Sequence, residues 1–103
     1  MKFATCNEYF ENIPIEDIFN YAADLGYEGV EIAPFTLAPS VEDISAARRD
    51  QIRTAAAKAG VEIVGLHWLL ASPDDLYITH PDPEIYQRTC DYFKALVQFC
   101  GDL

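Results

Sequence analysis

Two glycines limit how this chain can fold. Gly26 and Gly60 each end a helical pattern, and shortly after each a run rich in β-branched residues begins. A helix ending in glycine and leading at once into a strand is the repeating joint of α/β folds. The first helix opens at Pro14, where a missing N–H costs nothing, and Ile15, Ile18, Phe19, Ala22 and Leu25 form its apolar face. Ser40 and Asp43 resemble a capping box that opens the second helix, with Ile44, Ala47, Ile52, Ala55 and Ala59 as its face. Asp82 and Pro83 supply the cap and first position of the third. Its face is Ile85, Thr89, Tyr92, Phe93, Leu96, Phe99 and Leu103, and Gly101 is the expected cap.

The strand patterns are Phe3 to Cys6, Gly29 to Ala33 stopped by Pro34, and Val61 to Leu66. The last is nearly all apolar, as strands covered on both faces are. The order βαβαβα implies parallel strands joined by right-handed crossovers. Strand starts near Lys2, Glu28 and Val61 are about 26 and 33 residues apart, and eight such units need roughly 270 residues, the size of a (β/α)₈ barrel. The expected fold is therefore α/β: a partial (β/α)₈ TIM barrel of three βα units, with residues 1–103 as a single incomplete domain.

Composition narrows the function. Seventeen acidic against seven basic residues give a net charge of −10, which repels nucleic-acid backbones, and no basic stripe offsets it. Half the residues are hydrophobic and 13% aromatic, which argues against disorder. No apolar run approaches the ~20 residues that span a bilayer, and the N-terminus lacks the apolar region of a secretory signal. The three cysteines form no C-x-x-C pair, so a reduced, cytoplasmic setting is expected. Cys90 and Cys100 lie about 15 Å apart along one helix and cannot pair.

The segments L-G-Y-E-G-V-E-I-A-P (25–34), A-G-V-E-I-V-G-L-H-W (59–68) and G-L-H-W-L-L-A-S-P-D-D-L-Y-I-T-H-P-D-P-E-I-Y (65–86) carry a resemblance. The chain resembles the N-terminal portion of the xylose isomerase-like TIM-barrel superfamily, closest to its sugar-phosphate isomerases and epimerases. The resemblance implies a barrel that moves protons between adjacent carbons of a sugar. Paired carboxylates and a divalent metal (Mn, Mg, Co or Zn in the full-length parent) would serve at the C-terminal ends of the strands. It places the Glu, Asp, His and Glu metal ligands on later strands, so none is assigned here.

Three residues stand out as substrate-binding candidates. Glu31 lies between Val30 and Ile32, so if those two pack under helices, its carboxylate faces the barrel interior. A charge there must be paired, hydrated or functional; the plainer reading is a carboxylate held by a neighbour or by water. His67 shares the face of Gly65 and could bind sugar oxygens or a metal, or be a satisfied structural residue. Trp68 beside it offers an aromatic platform for the apolar face of a sugar.

Other polar groups have bland readings. Asn7, Glu8 and Tyr9 fall on the same rim and read as an ordinary polar loop. Asp74, Asp75, His80, Asp82 and Glu84 match no ligand spacing, so capping by Asp82 and solvation of the others is expected. Arg48, Arg49, Arg53 and Lys58 read as a solvated helix face. Cys6 ends a strand with no evident base beside it.

Three functions remain open. The first is the N-terminal part of a sugar or sugar-phosphate isomerase/epimerase, inactive alone. The second is a non-catalytic module that self-associates through the open edges of its sheet. The third is an abasic-site endonuclease-like barrel, which the acidic charge disfavours. The expected partner is a small sugar or sugar phosphate, with no nucleic acid and no membrane.

Overall fold

A computed structural model describes residues 1–103. Three parallel strands form one sheet in the order β1 (Ala4–Cys6), β2 (Gly29–Ile32), β3 (Glu62–Leu66). The helices are α1 (Ile15–Asp24), α2 (Ala46–Ala59) and α3 (Pro83–Asp102). The chain is therefore α/β with three βα units, as the glycine spacing predicts.

The two glycines close their helices as anticipated. Gly26 and Gly60 adopt φ of +86° and +82°, in the left-handed region where a side chain would be strained. Past Gly26, the Tyr27 amide donates to the Ala22 carbonyl at 2.9 Å; past Gly60, the Val61 amide donates to Ala56 at 3.1 Å. Both bonds satisfy carbonyls the helix end would leave unpaired. The Asp82 side chain accepts from the Glu84 amide at 2.8 Å and caps α3.

Several boundaries differ from expectation. Ser40 caps only a short 3₁₀ turn, Val41–Asp43, because Ile44 is extended and breaks the helix there. Ser45 is the cap of α2, accepting from the Arg48 amide at 3.2 Å. Pro14 is the residue before α1 rather than its first. Gly101 is helical within α3 and caps nothing. Leu25 and Ala47 are exposed, and Ala56 takes the buried place on α2.

Two apolar clusters result. In the first, α1 and α2 cover one face of the sheet, joining Ile15, Ile18, Phe19 and Ala22 to Val30, Ile32, Ile52 and Ala56. In the second, Tyr92, Leu96 and Phe99 of α3 cover Val41, Ile44 and Leu76. Arg49 ties them and is not part of a solvated face. Its guanidinium donates to the Ile44 and Val41 carbonyls at 2.9 and 2.7 Å, pairs with Asp102 at 2.7 Å, and lies 5.1 Å over the Phe99 ring. Arg48 pairs with Glu16 across α1 and α2.

The other face of the sheet is open. Val64 is 53% exposed, so β3 is not covered on both sides as its apolar sequence suggested. Between β2 and β3 the register slips by one: Val30 faces Ile63, Glu31 faces Gly65, and Val64 has no partner. Gly29 makes room for it, since a Cβ there would meet Val64 Cγ1 at 2.6 Å and Ala4 Cβ at 3.3 Å. No helix is long and apolar enough to cross a membrane.

Candidate functional site

At the C-terminal ends of the strands, the open face becomes polar. Val30 and Ile32 are fully buried under the helices, and Glu31 between them keeps a side chain 40% exposed on the other face. Cys6 and Gly65 are its neighbours in register on β1 and β3. His67 follows β3 by one residue, its amide held by the Ile32 carbonyl at 2.8 Å. Its Nδ1 lies 3.3 Å from Glu31 Oε2. The other ring nitrogen, Nε2, lies 3.6 Å from Glu8 Oε1. One imidazole is thus gripped between two carboxylates from two different strand ends.

Glu8 sits in a short 3₁₀ turn, Asn7–Tyr9, that leaves β1. Its side chain is only 18% exposed, and its Oε2 is buried with no hydrogen-bond partner. Cys6 Sγ, a Glu8 oxygen and a His67 nitrogen all lie within 4.8 Å of one another. Burial pushes the Cys6 thiol above its usual pKa, and the Glu8 and Glu31 carboxylates add to that against lowering backbone hydrogen bonds. Such a thiol is a poor free nucleophile at neutral pH.

The rim is built on Asn7. This side chain is 2% exposed and accepts from the Ala33 amide while donating to Thr36 Oγ1, both at 2.7 Å. Thr36 in turn donates to the Ala33 carbonyl at 2.7 Å. Asn7 therefore clamps the exit of β1 to the exit of β2 and is no ordinary loop residue. Asn7 and Glu8 also line a cleft of about 410 Å³, with Phe10, Ile15, Phe35 and Leu37 among its walls. Tyr9 is exposed.

Trp68 is 61% exposed and holds a left-handed backbone, φ +52°. A bulky residue rarely adopts that conformation, and strain of this kind clusters at ligand sites. Its ring meets Phe35 edge to face, centroids 5.5 Å apart at 83°. Together the two rings give the rim an apolar side.

The structure thus brings Glu31 and His67 together and sets Trp68 beside them. It adds Cys6, Glu8 and Phe35, which sequence reading did not connect to His67 or Trp68. The signal for Cys6 and Glu8 was their place at the exit of β1, level with the exits of β2 and β3. The acidic loop before α3 gathers no such group: His80 Nδ1 accepts from the Asp82 amide at 3.1 Å, and Asp74, Asp75 and Glu84 are exposed. Cys90 and Cys100 are free thiols.

In comparison with known families, the model described as "Xylose isomerase-like TIM barrel" matches residues 19–103. No curated protein and no solved structure gives a significant match.

Proposed function

The chain belongs to the xylose isomerase-like TIM-barrel family, and from that premise we propose that it forms the first three βα units of a sugar or sugar-phosphate isomerase/epimerase. The observation that carries this reading is the Glu31–His67 pair at the carboxyl ends of β2 and β3, beside the rings of Trp68 and Phe35. In barrels of this type, chemistry takes place at that end of the strands. A ketose presents hydroxyls on its edge and C–H groups on its face. Carboxylate and imidazole at the rim suit the hydroxyls, and the indole suits the C–H face.

Glu31 orients the sugar through hydrogen bonds, His67 does so directly or through an ion it holds, and Trp68 excludes water from one side of it. The acid and base that move the proton between adjacent carbons belong to strands beyond Leu103. A divalent ion bound in such a barrel polarises a sugar carbonyl or hydroxyl. Cys6, Glu8 and His67 are the residues of this chain whose donors fit such an ion, since Glu8 keeps a buried oxygen without a partner.

The test is a full barrel carrying this segment, assayed on a panel of ketoses and their phosphates. Isomerisation or epimerisation that falls at least ~10-fold in kcat/KM in Glu31→Gln and His67→Gln supports the reading. No turnover across the panel by a metal-supplemented barrel overturns it.

A second reading rests on the outer edges of β1 and β3, which carry no further strand, and on the half-exposed Val64 between them. A non-catalytic module would cover these by self-association. Light scattering after size exclusion decides. A monodisperse multimer whose mass is unchanged by Glu31→Ala and His67→Ala, with no sugar binding, favours the module.

A further inference from the structure

A sugar-binding rim needs hydrogen-bond donors and acceptors, but it has no use for a thiol. Nor does it need a carboxylate oxygen buried without a partner. Both occur here, on residues with donor atoms within 4.8 Å of a His67 nitrogen.

Three arrangements point the same way. First, Cys6 Sγ, a Glu8 oxygen and a His67 nitrogen lie within 4.8 Å of one another. Ligands of a tetrahedral zinc ion, at about 2.0–2.3 Å from the metal, stand about 3.3–3.8 Å apart. The His67 Nε2 to Glu8 Oε1 separation of 3.6 Å already falls in that window. Second, Glu31 lies 3.3 Å from the opposite nitrogen, Nδ1. A carboxylate on one nitrogen of a ligating histidine fixes the tautomer and turns the other nitrogen to the metal. Third, Glu8 Oε2 is buried without a hydrogen bond, and a buried carboxylate without a partner is costly unless a cation or a proton satisfies it.

We propose that Cys6, Glu8 and His67 hold one zinc-type divalent ion, with Glu31 positioning His67 from behind. The donor set chooses the metal class. Thiol, imidazole and carboxylate together match a borderline ion such as zinc, whereas magnesium and calcium prefer oxygen ligands alone. On binding, the Cys6 thiol releases its proton to solvent and the thiolate takes its place on the ion. Three protein ligands leave a fourth position. His67 is 43% exposed toward the open face, so that position would take water or an oxygen of a bound ligand. All three ligands belong to this chain, and binding of the ion to them does not depend on a sugar being the substrate.

The experiment is titration of the metal-free chain with cobalt(II), followed by displacement with zinc, with circular dichroism on the same samples. One equivalent of cobalt should give visible bands of a four-coordinate ion and a near-ultraviolet thiolate charge-transfer band. Zinc should abolish both. Cys6→Ser should remove the charge-transfer band, and His67→Gln should weaken zinc binding at least as much as Glu31→Gln, for which a loss of about 10–100-fold is expected. His80→Gln, outside the group, should change nothing. If Cys6→Ser does not fold, the half-exposed His67 and Glu31 variants still decide. Saturating cobalt without a thiolate band overturns the proposal. So does zinc affinity that is the same in wild type and His67→Gln, whatever sugar the barrel takes.

Discussion

The two faces of this three-stranded sheet are separated by single residues of β2 and differ in almost every respect. On one, Val30 and Ile32 are fully buried beneath Phe19, Ala22, Ile52 and Ala56. On the other, Glu31 and His67 are each about two-fifths exposed and Val64 more than half. The difference comes from connectivity. Right-handed crossovers put α1 and α2 on one side only, so three βα units complete that face and leave the other bare. In a closed barrel, strands across the axis would fill the bare side. The packed core and the candidate site thereby fall on opposite surfaces of the same strands.

The sharpest way to break this contrast is a matched pair of substitutions. Phe19→Ala, on the covered face, should cost about 3–5 kcal/mol in denaturant unfolding. Val64→Thr, on the bare face, should change stability by no more than about 0.5 kcal/mol. If the Val64 change costs nearly as much, the bare face is packed against something in solution, and the contrast fails. Next in size is Asn7→Ala, where the two faces meet at the rim. It strands the buried Ala33 amide and should cost about 1–3 kcal/mol, read from the same unfolding curves.

Gly29→Ala should cost about 1 kcal/mol, because its new Cβ presses on Val64 Cγ1 and Ala4 Cβ. In a Val64→Ala background most of that cost should vanish. A double-mutant cycle with no coupling would show that Ala4, and not Val64, sets the limit.

The smallest effect is electrostatic. The hydrogen bond from Arg48 holds the Glu16 carboxyl below its ordinary value of 4.5. A lowered folded-state pKa means stability that is present above 4.5 and lost as pH falls through the folded value. The pair is partly exposed, so the effect is modest. The gap in urea midpoint between wild type and Arg48→Gln should be small at neutral pH and close in acid. A gap that widens in acid contradicts the sign.

The covered face was legible in the sequence, while the bare face was legible only in part. Gly26, Gly60 and the Asp82-Pro83 pair mark helix ends through local backbone chemistry, which a single chain reveals. The alternation Val30-Glu31-Ile32 also revealed which way Glu31 points. Ser40 misled because its capping pattern was satisfied by a 3₁₀ turn, while extended Ile44 went to the second cluster. Arg49 reads as solvated because its partners, Asp102 and Phe99, lie far along the chain. The same distance in sequence hid the approach of Glu8 to His67. Pair contacts of this kind depend on strand register, and periodicity carries no information about it.

The unpaired Val64 settles a matter of parity. Along a strand, odd and even positions take opposite sides, and one surplus residue exchanges them for everything that follows. Ile63 and Leu66 both pack toward the helices although three positions separate them, an interval that regular alternation forbids. Were Val64 paired in regular alternation, Leu66 would turn outward and the imidazole would go under the helices; deleting Val64 would instead leave Ile63, Gly65, Leu66 and His67 on the faces they already occupy. The address of His67 is thus written less in the histidine itself than in the one residue that steps out of the ladder before it.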